Sequence, residues 1–356
     1  MIQTFSSTIR RKEMDAVLTC MVDEKLGPGE LNAKLIQTVK EFTGCDGAVA
    51  FRSPAIAFSY VVKALDLPAG SSVMISALAP AWHYSAVKNL GLNPLVLDVN
   101  DSDGLVTIDA VHEGIKNGGR LLLLHESMGI LPNLEEFIAT GIPVIEDISH
   151  SLGAVYTLSS SEENPGAKPE DLQKKAGMLG LYSILGLEAN DIVTAGGGAV
   201  LIAPKRREWI VLKKYTDLAP ETDILPDMNS ALGFIQLKEF NRNEEIRRSL
   251  FEIFNKSLAS GKNKTFVRGP ENASAVWSFP VVLNGSFKDA KQYASRKEIE
   301  IRPAYENSVI SVLDEDEQSK YIRAKSLFLR CVLFPLYPRL GSEAATKIAK
   351  VLGTLP

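Results

Sequence analysis

The constraint that narrows the fold most is a repeating order of short apolar runs and helical patterns through the first half of the chain. GAVAFRS from Gly47, SVMISA, PLVLDV, RLLLLHE and IPVIED each read as a strand of a few residues. Between them lie stretches with helical spacing: about Pro54 to Leu65, Trp82 to Leu90, Ile108 to Asn117 and Leu134 to Thr140. Strands that alternate with crossover helices make a largely parallel sheet covered on both faces. RLLLLHE, apolar at four consecutive positions, fits a strand buried on both sides. Two further helices, Arg11 to Asp23 and Asn32 to Thr43, precede the first strand, separated by the breaker LGPGE.

The second half changes character. SSSEENPGAKPEDLQKK, from Ser159, is polar and reads as an exposed loop. After Lys205 come REWIVLKKY and then NSALGFIQLKEFNRNEEIRRSLFEIFNKSLA, which reads as one long bridging helix. Short strand candidates (AVWSFPVVL, EIEIRP) then mix with helices, the last being SEAATKIAKVLGTL. The chain of 356 residues is long enough for two domains. The expected division is a large domain over 1–245, including the N-terminal segment and the bridging helix, and a small α+β domain over 246–356.

A formal net charge of −4 gives no support to nucleic-acid binding, which favours a basic surface. No leader pattern and no run of 18 apolar residues is present, so no membrane partner is expected and a cytoplasmic location follows by default. Cys20, Cys45 and Cys331 have neither metal-ligand nor disulfide spacing, and are expected as buried, reduced thiols.

Sheets of this kind bind ligands beyond the carboxyl ends of their strands. Those ends carry Arg52-Ser53, Ser76-Ala77, Asp98, His125-Glu126 and Glu146-Asp147. Ser53-Pro54 pairs an N-cap serine with a proline at the first helical position, so the amides of Ala55 and Ile56 could hold a phosphate or merely open a capped helix. Asp147, at the end of IPVIED, needs a partner if buried: a heteroaromatic N–H⁺, His150 or an arginine elsewhere. Trp82 could stack on a flat ring or fill core space. Ser183 could donate to an anion or to backbone. His83, His125 and His150, with Asp147, could make a metal site, although no close-spaced ligand motif supports one. Gly196-Gly197-Gly198 permits a tight turn but is not a dinucleotide fingerprint.

In this order, these residues resemble the DegT/DnrJ/EryC1/StrS family of pyridoxal phosphate (PLP)-dependent sugar aminotransferases, over nearly the whole chain. VIEDISHSLGA is similar to the family's aspartate-containing stretch, and PAGSSVMISALAPAWHYSAV to its strand and aromatic loop over the cofactor. FRSPAIAF stands where the phosphate turn is usual; GLYSI, AGGGAV, NSALGFIQL and LFPLYPRLGSEA resemble further family segments. The resemblance implies PLP-transferase fold type I, with a largely parallel seven-stranded sheet and a smaller α+β domain. It also implies that Asp147 pairs with the pyridinium nitrogen and Trp82 stacks on the ring. His150 would lie near the ring's face or oxygen, and Ser183 would join Ser53, Ala55 and Ile56 at the phosphate. A homodimer and a nucleotide-sugar ligand follow from the same likeness.

The departures decide the expected activity. The family lysine joins the cofactor's aldehyde and then moves the proton. Six residues beyond the aromatic of GLYSI stands Glu188, and seven before the middle glycine of AGGGAV stands Asn190; no lysine occurs between Lys175 and Lys205. Glutamate and asparagine cannot form the link. The glycine-threonine of the phosphate turn is replaced by Pro54-Ala55, and Gly196 replaces a glutamate. Thr222 and Ile224 stand where the family's interface segment has asparagine and arginine. The expectation is a degenerate family member without ordinary transaminase turnover: a non-catalytic subunit, sensor or scaffold. The alternative is an enzyme for a nucleotide-linked keto or amino sugar that holds PLP or its pyridoxamine form (PMP) without a covalent bond. A second alternative is a metal-assisted enzyme using the histidines.

Overall fold

In the computed structural model, which describes residues 1–159, 172–269 and 272–356, a seven-stranded sheet organises the larger part of the chain. Two helices, α1 (Arg11–Val22) and α2 (Glu30–Thr43), precede β1 (Gly47–Phe51) and α3 (Pro54–Ala64). Then follow β2 (Ser72–Ser76), α4 (Ala81–Asn89), β3 (Asn93–Leu97), α5 (Ile108–Lys116), β4 (Gly119–His125), α6 (Leu134–Ala139) and β5 (Val144–Asp147). A small hairpin pairs β6 (Val155–Thr157) with β7 (Gln173–Lys175) before β8 (Tyr182–Gly186) and β9 (Ala199–Ala203).

The strand order is β1-β9-β8-β5-β4-β2-β3. The pairs β2–β3, β2–β4, β4–β5 and β5–β8 are parallel, whereas β9 is antiparallel to both β1 and β8. Six strands therefore share one direction, and their carboxyl ends (Phe51, Ser76, Leu97, His125, Asp147 and Gly186) lie along one edge, where β9 begins. The reversal of β9 depends on the glycine triplet. Gly196, Gly197 and Gly198 have φ of 74°, 144° and 113°, the region that side chains disfavour. A Cβ on Gly198 would sit 2.5 Å from Leu225 Cδ1.

Both faces of the sheet are covered, as the apolar runs require. Along β4, Leu121 and Leu123 join one apolar cluster with Phe58, Val61 and Leu212, while Leu122 and Leu124 join another with Leu35, Val111 and Phe137. All four leucines are at most 1% exposed, each contributing about 2 kcal/mol of burial.

Helices α7 (Arg206–Thr216), α8 (Asp227–Lys238) and α9 (Phe240–Leu258) follow. The single long helix expected from the sequence is two, because Glu239 leaves helical geometry at φ −89°, ψ 3°. The smaller α+β domain at the C-terminal end has a three-stranded antiparallel sheet, β10 (Phe279–Val282), β12 (Cys331–Phe334) and β11 (Arg302–Pro303), in the order β10-β12-β11. Helices α10 (Phe287–Arg296), α11 (Glu315–Gln318), α12 (Ile322–Arg330) and α13 (Ser342–Leu352) accompany it. Its core joins Phe279 and Phe334 to Leu250 and Phe254 of α9 and Ile348 of α13.

EIEIRP contributes only the two residues of β11, and QKK, read as loop, forms β7. The rest of the polar segment from Ser160 to Asp171 lies outside the described residues. Cys20, Cys45 and Cys331 are buried and free. Among the described residues no helix is long and apolar enough to cross a membrane.

Candidate functional site

The carboxyl-end edge opens into a cavity of about 510 Å³, walled on its other side by the smaller domain. Helix α3 enters this wall with Ser53 as its N-cap. The Ser53 Oγ accepts the amide of Ile56 at 3.2 Å, and proline follows at the first helical position. Ser53, Pro54 and Ala55 line the cavity, but the Ile56 amide is already spent on the cap and Ile56 does not line it. An anion here would meet the Ala55 amide and the positive end of the helix dipole.

The loop after β2 brings Trp82 into the same wall and turns His83, one residue on, inward to full burial. On the sheet, β4 and β5 run in register with His125 opposite Asp147, so these two strand-end residues are neighbours by construction. The Asp147 carboxylate collects four donors. His83 Nε2 lies 2.8 Å and His125 Nδ1 2.9 Å from Oδ2, while Oδ1 accepts the Ser149 amide at 3.1 Å and its hydroxyl. Asp147 and His83 are each 0% exposed, and neither reaches the cavity surface; His125, Ser149 and His150 do.

Burial alone would raise the Asp147 carboxyl, but the charge and hydrogen bonds of His125, followed by those of His83, hold it well below the usual range. It is therefore a carboxylate. As such it can only accept, so each histidine donates the proton facing it. This places a proton on His125 Nδ1 and on His83 Nε2. Burial lowers the His83 pKa against the pull of Asp147, keeping the ring neutral, and its Nδ1 has no partner among the described residues.

His150 lies across the cavity wall from these groups. Its ring stacks on Trp277 of the smaller domain at 3.6 Å between centroids and 13° between planes, and meets His125 edge-on at 4.7 Å. Burial, then the neighbouring His125, lowers its pKa well below the usual histidine value. Trp277 donates its indole N–H to the Asn190 carbonyl at 2.6 Å, tying the small domain to the loop after β8.

That loop is where a tethering amine is expected, and the structure places both counted positions, Glu188 and Asn190, on the cavity wall together with Asp191. It is closed by the Leu187 amide on Gly198 O at 2.9 Å and the Gly197 amide on Leu187 O at 3.0 Å. Among the described residues the lining contains no lysine and no arginine. Lys175 sits on β7 and donates to Phe42 O; Lys205 follows β9 at the opposite edge of the sheet. The acids at the cavity are Glu188, Asp191 and Glu306. Asp191 Oδ2 accepts the Glu188 amide at 2.8 Å, while burial, reinforced by Asp147 and Glu188, pushes its carboxyl up to about 8.

The sequence-derived site residues thus divide. Ser53, Ala55, Trp82 and His150 share the cavity, and Asp147 stands behind its floor. Ser183 is fully buried, donates to Gly177 O at 2.9 Å and does not line the cavity. Trp277, Tyr305 and Ser149 were not legible as site residues; Ser149 alone had a local signal, lying two residues beyond the strand-end aspartate. His83, His125 and Asp147 each offer one ligand atom within 4.8 Å of the others, a donor set a transition ion could use. Their spacing from the shared oxygen is that of hydrogen bonds.

The family model of the DegT/DnrJ/EryC1/StrS aminotransferases matches residues 7–216 and 221–353. EpsN of Bacillus subtilis (strain 168), provisionally named a pyridoxal phosphate-dependent aminotransferase, is 22% identical over 305 residues, covering 78% of this chain and 74% of its own. Among solved structures, a provisionally named sugar aminotransferase from Streptococcus pneumoniae in its PLP form superposes with a TM-score of 0.85 at 14% identity, covering 97% of this chain and 96% of the other. A mutant of GDP-4-keto-6-deoxymannose-3-dehydratase with bound GDP-perosamine gives 0.81 at 17% identity, covering 99% and 100%.

Proposed function

This chain belongs to the DegT/DnrJ/EryC1/StrS aminotransferase family, and from that premise we propose that it holds a pyridoxal- or pyridoxamine-phosphate ring without a covalent tether and does not perform lysine-dependent transamination. The observation that carries the reading is a cavity with Trp82, Ser53, Ala55 and His150 on its wall and no lysine among its described lining residues.

The residues present fit such a ring non-covalently. The cavity has room for one ring and an attached group, Trp82 offers a face to stack against, and the Ala55 amide at the start of α3 offers an anion site. When bound, the cofactor would supply an electron-withdrawing ring. The chain's own contribution is to bind and orient it, to exclude water with Trp82 and Trp277, and to hold a proton on the Asp191 carboxyl up to pH about 8. Among the described residues no lysine or arginine lines the cavity to neutralise the phosphate, so retention is expected to be weaker than in a tethered enzyme.

The relative solved with GDP-perosamine supports a nucleotide-linked keto or amino sugar as the second ligand. Met14, Leu18, Met21 and Val22 of α1 are each more than half exposed and recur at helical spacing, which supports burial against a second copy of the chain in a homodimer. The histidine–aspartate trio supports one further reading, an ion held by His83, His125 and Asp147; elemental analysis of the purified protein tests it.

Equilibrium dialysis against PLP and PMP, followed by borohydride and intact-mass measurement, tests the main reading. The expected result is retention of cofactor with no mass added by reduction. Retention of neither form would support a scaffold without a cofactor instead, and an adduct would overturn the reading altogether.

A further inference from the structure

On the premise that a B6-type ring occupies this cavity, we infer that Glu188 selects the cofactor's amine form, so that the protein holds PMP in preference to PLP.

The loop between β8 and β9 fixes where this side chain stands. The Leu187 amide donates to Gly198 O at 2.9 Å, and the Leu187 carbonyl accepts the amides of Ala195 at 2.9 Å and Gly197 at 3.0 Å. The next amide, that of Glu188, donates to Asp191 Oδ2 at 2.8 Å. With its backbone held on both sides, Glu188 lines the cavity beside the glycine turn, where a Cβ on Gly197 would lie 3.9 Å from Glu188 Oε2. The side chain is exposed and makes no hydrogen bond or ion pair among the described residues. Its neighbours on the loop are committed differently. Asp191 holds the Glu188 amide, and the Asn190 carbonyl receives the Trp277 indole N–H at 2.6 Å. The Asn190 side-chain amide offers both a donor and an acceptor, so it does not discriminate between the two forms.

Charge decides which form of the ring suits this wall. The acids at the cavity are Glu188, Asp191 and Glu306, and the described lining contains no lysine or arginine. Both forms carry the same phosphate, which the Ala55 amide and the helix dipole at the start of α3 attract. They differ at one substituent. The aldehyde of PLP presents oxygen lone pairs, and a carboxylate, which only accepts, repels them. The aminomethyl group of PMP is a cation with N–H donors, and the same carboxylate pairs with it. In open water such a pair adds little. Beneath a bound ring, with Trp82 and Trp277 on the wall, water is displaced and the pairing strengthens. A lysine here would favour the aldehyde by condensing with it. A glutamate reverses that preference.

The test is calorimetric titration of the whole protein at pH 7.5 with PMP, PLP and 4-deoxypyridoxine phosphate, which carries a methyl group in place of the amine or aldehyde. Wild type is expected to bind PMP about tenfold or more tightly than either of the others, the worth of one hydrogen bond to a charged group. Glu188→Gln, which keeps the shape but adds a donor, should bring PMP and PLP within about threefold of one another. Glu188→Ala should bind PMP and the methyl compound alike. The inference is overturned if wild type binds PLP or the methyl compound as tightly as PMP, or if both Glu188 variants keep the preference of wild type. The comparison of ligands needs wild type alone, so it decides the matter even where a variant fails to fold. Failure of wild type to bind any of the compounds would instead sink the cofactor reading, and this inference with it.

Discussion

Replacing Asp147 with alanine strands the donors that now converge on its carboxylate, and the structure lets the cost be worked group by group. His125 and Ser149 line the cavity, so water can reach the imidazole and the hydroxyl there once Asp147 is gone. His83, 0% exposed, lies behind the floor with no such recourse for its Nε2–H, and the Ser149 amide belongs to a residue only 4% exposed. Two sealed donors at about 1–3 kcal/mol each, with the small cavity left behind, amount to a loss of about 3–5 kcal/mol. Asparagine keeps the shape and lets both histidines change tautomer, which reduces the cost to about 1–2 kcal/mol. Urea unfolding at pH 7.5, followed by fluorescence and circular dichroism, measures both variants against wild type. If Asp147→Ala unfolds within about 1 kcal/mol of wild type, the four-donor network is not holding the cavity floor and the reasoning fails.

Other consequences are open to equally direct checks. His83 is neutral when folded, with a pKa lowered by burial, whereas the unfolded chain binds its proton near pH 6.5. Stability should therefore fall as pH drops below about 6.5, by up to about 1.4 kcal/mol per unit until the folded pKa is reached, and His83→Gln should flatten that slope. Asp191 titrates at about 8 when folded and near 4 when unfolded, so its contribution is complete below pH 4 and is lost as pH rises toward 8. Asp191→Asn should unfold at higher urea than wild type at pH 9 and show a smaller gap at pH 5; a constant gap would contradict the raised pKa. Returning an amine to the cavity wall with Glu188→Lys should create a borohydride-fixable link to PLP that wild type lacks. Absence of that link, in a variant that still retains cofactor, would show that position 188 does not face the ring.

How much of this could be read from the residues alone follows from how far each interaction reaches. The strands, their common edge and the Ser53 cap are local patterns of period and punctuation, and the structure carries them almost as read. The substitution at Glu188 and Asn190 needed only a count, and both positions do reach the cavity. The Ile56 amide was expected to be free because capping geometry is invisible until the serine's rotamer is known; the serine takes it. Asp147 was expected to face a ligand, yet its saturation depends on three elements meeting at one carboxylate: the first turn of α4, the end of β4 and the turn after β5. Nothing in the spacing of His83, His125 and Ser149 announces that convergence, because register between strands sets it. Trp277 comes from the other domain and carries no local signal, although its ring closes the wall over His150. The break at Glu239 lies in a stretch of good helix formers, where tertiary packing overrides propensity.

The untethered pocket is tested most directly by a crystal structure of the protein soaked with pyridoxal phosphate. The account predicts the cofactor in the cavity between α3 and the β8–β9 loop, beside Trp82 and His125, with its aldehyde carbon bonded to no protein atom. A bond from that carbon to any lysine nitrogen, or a cavity still empty at saturating cofactor, would contradict it.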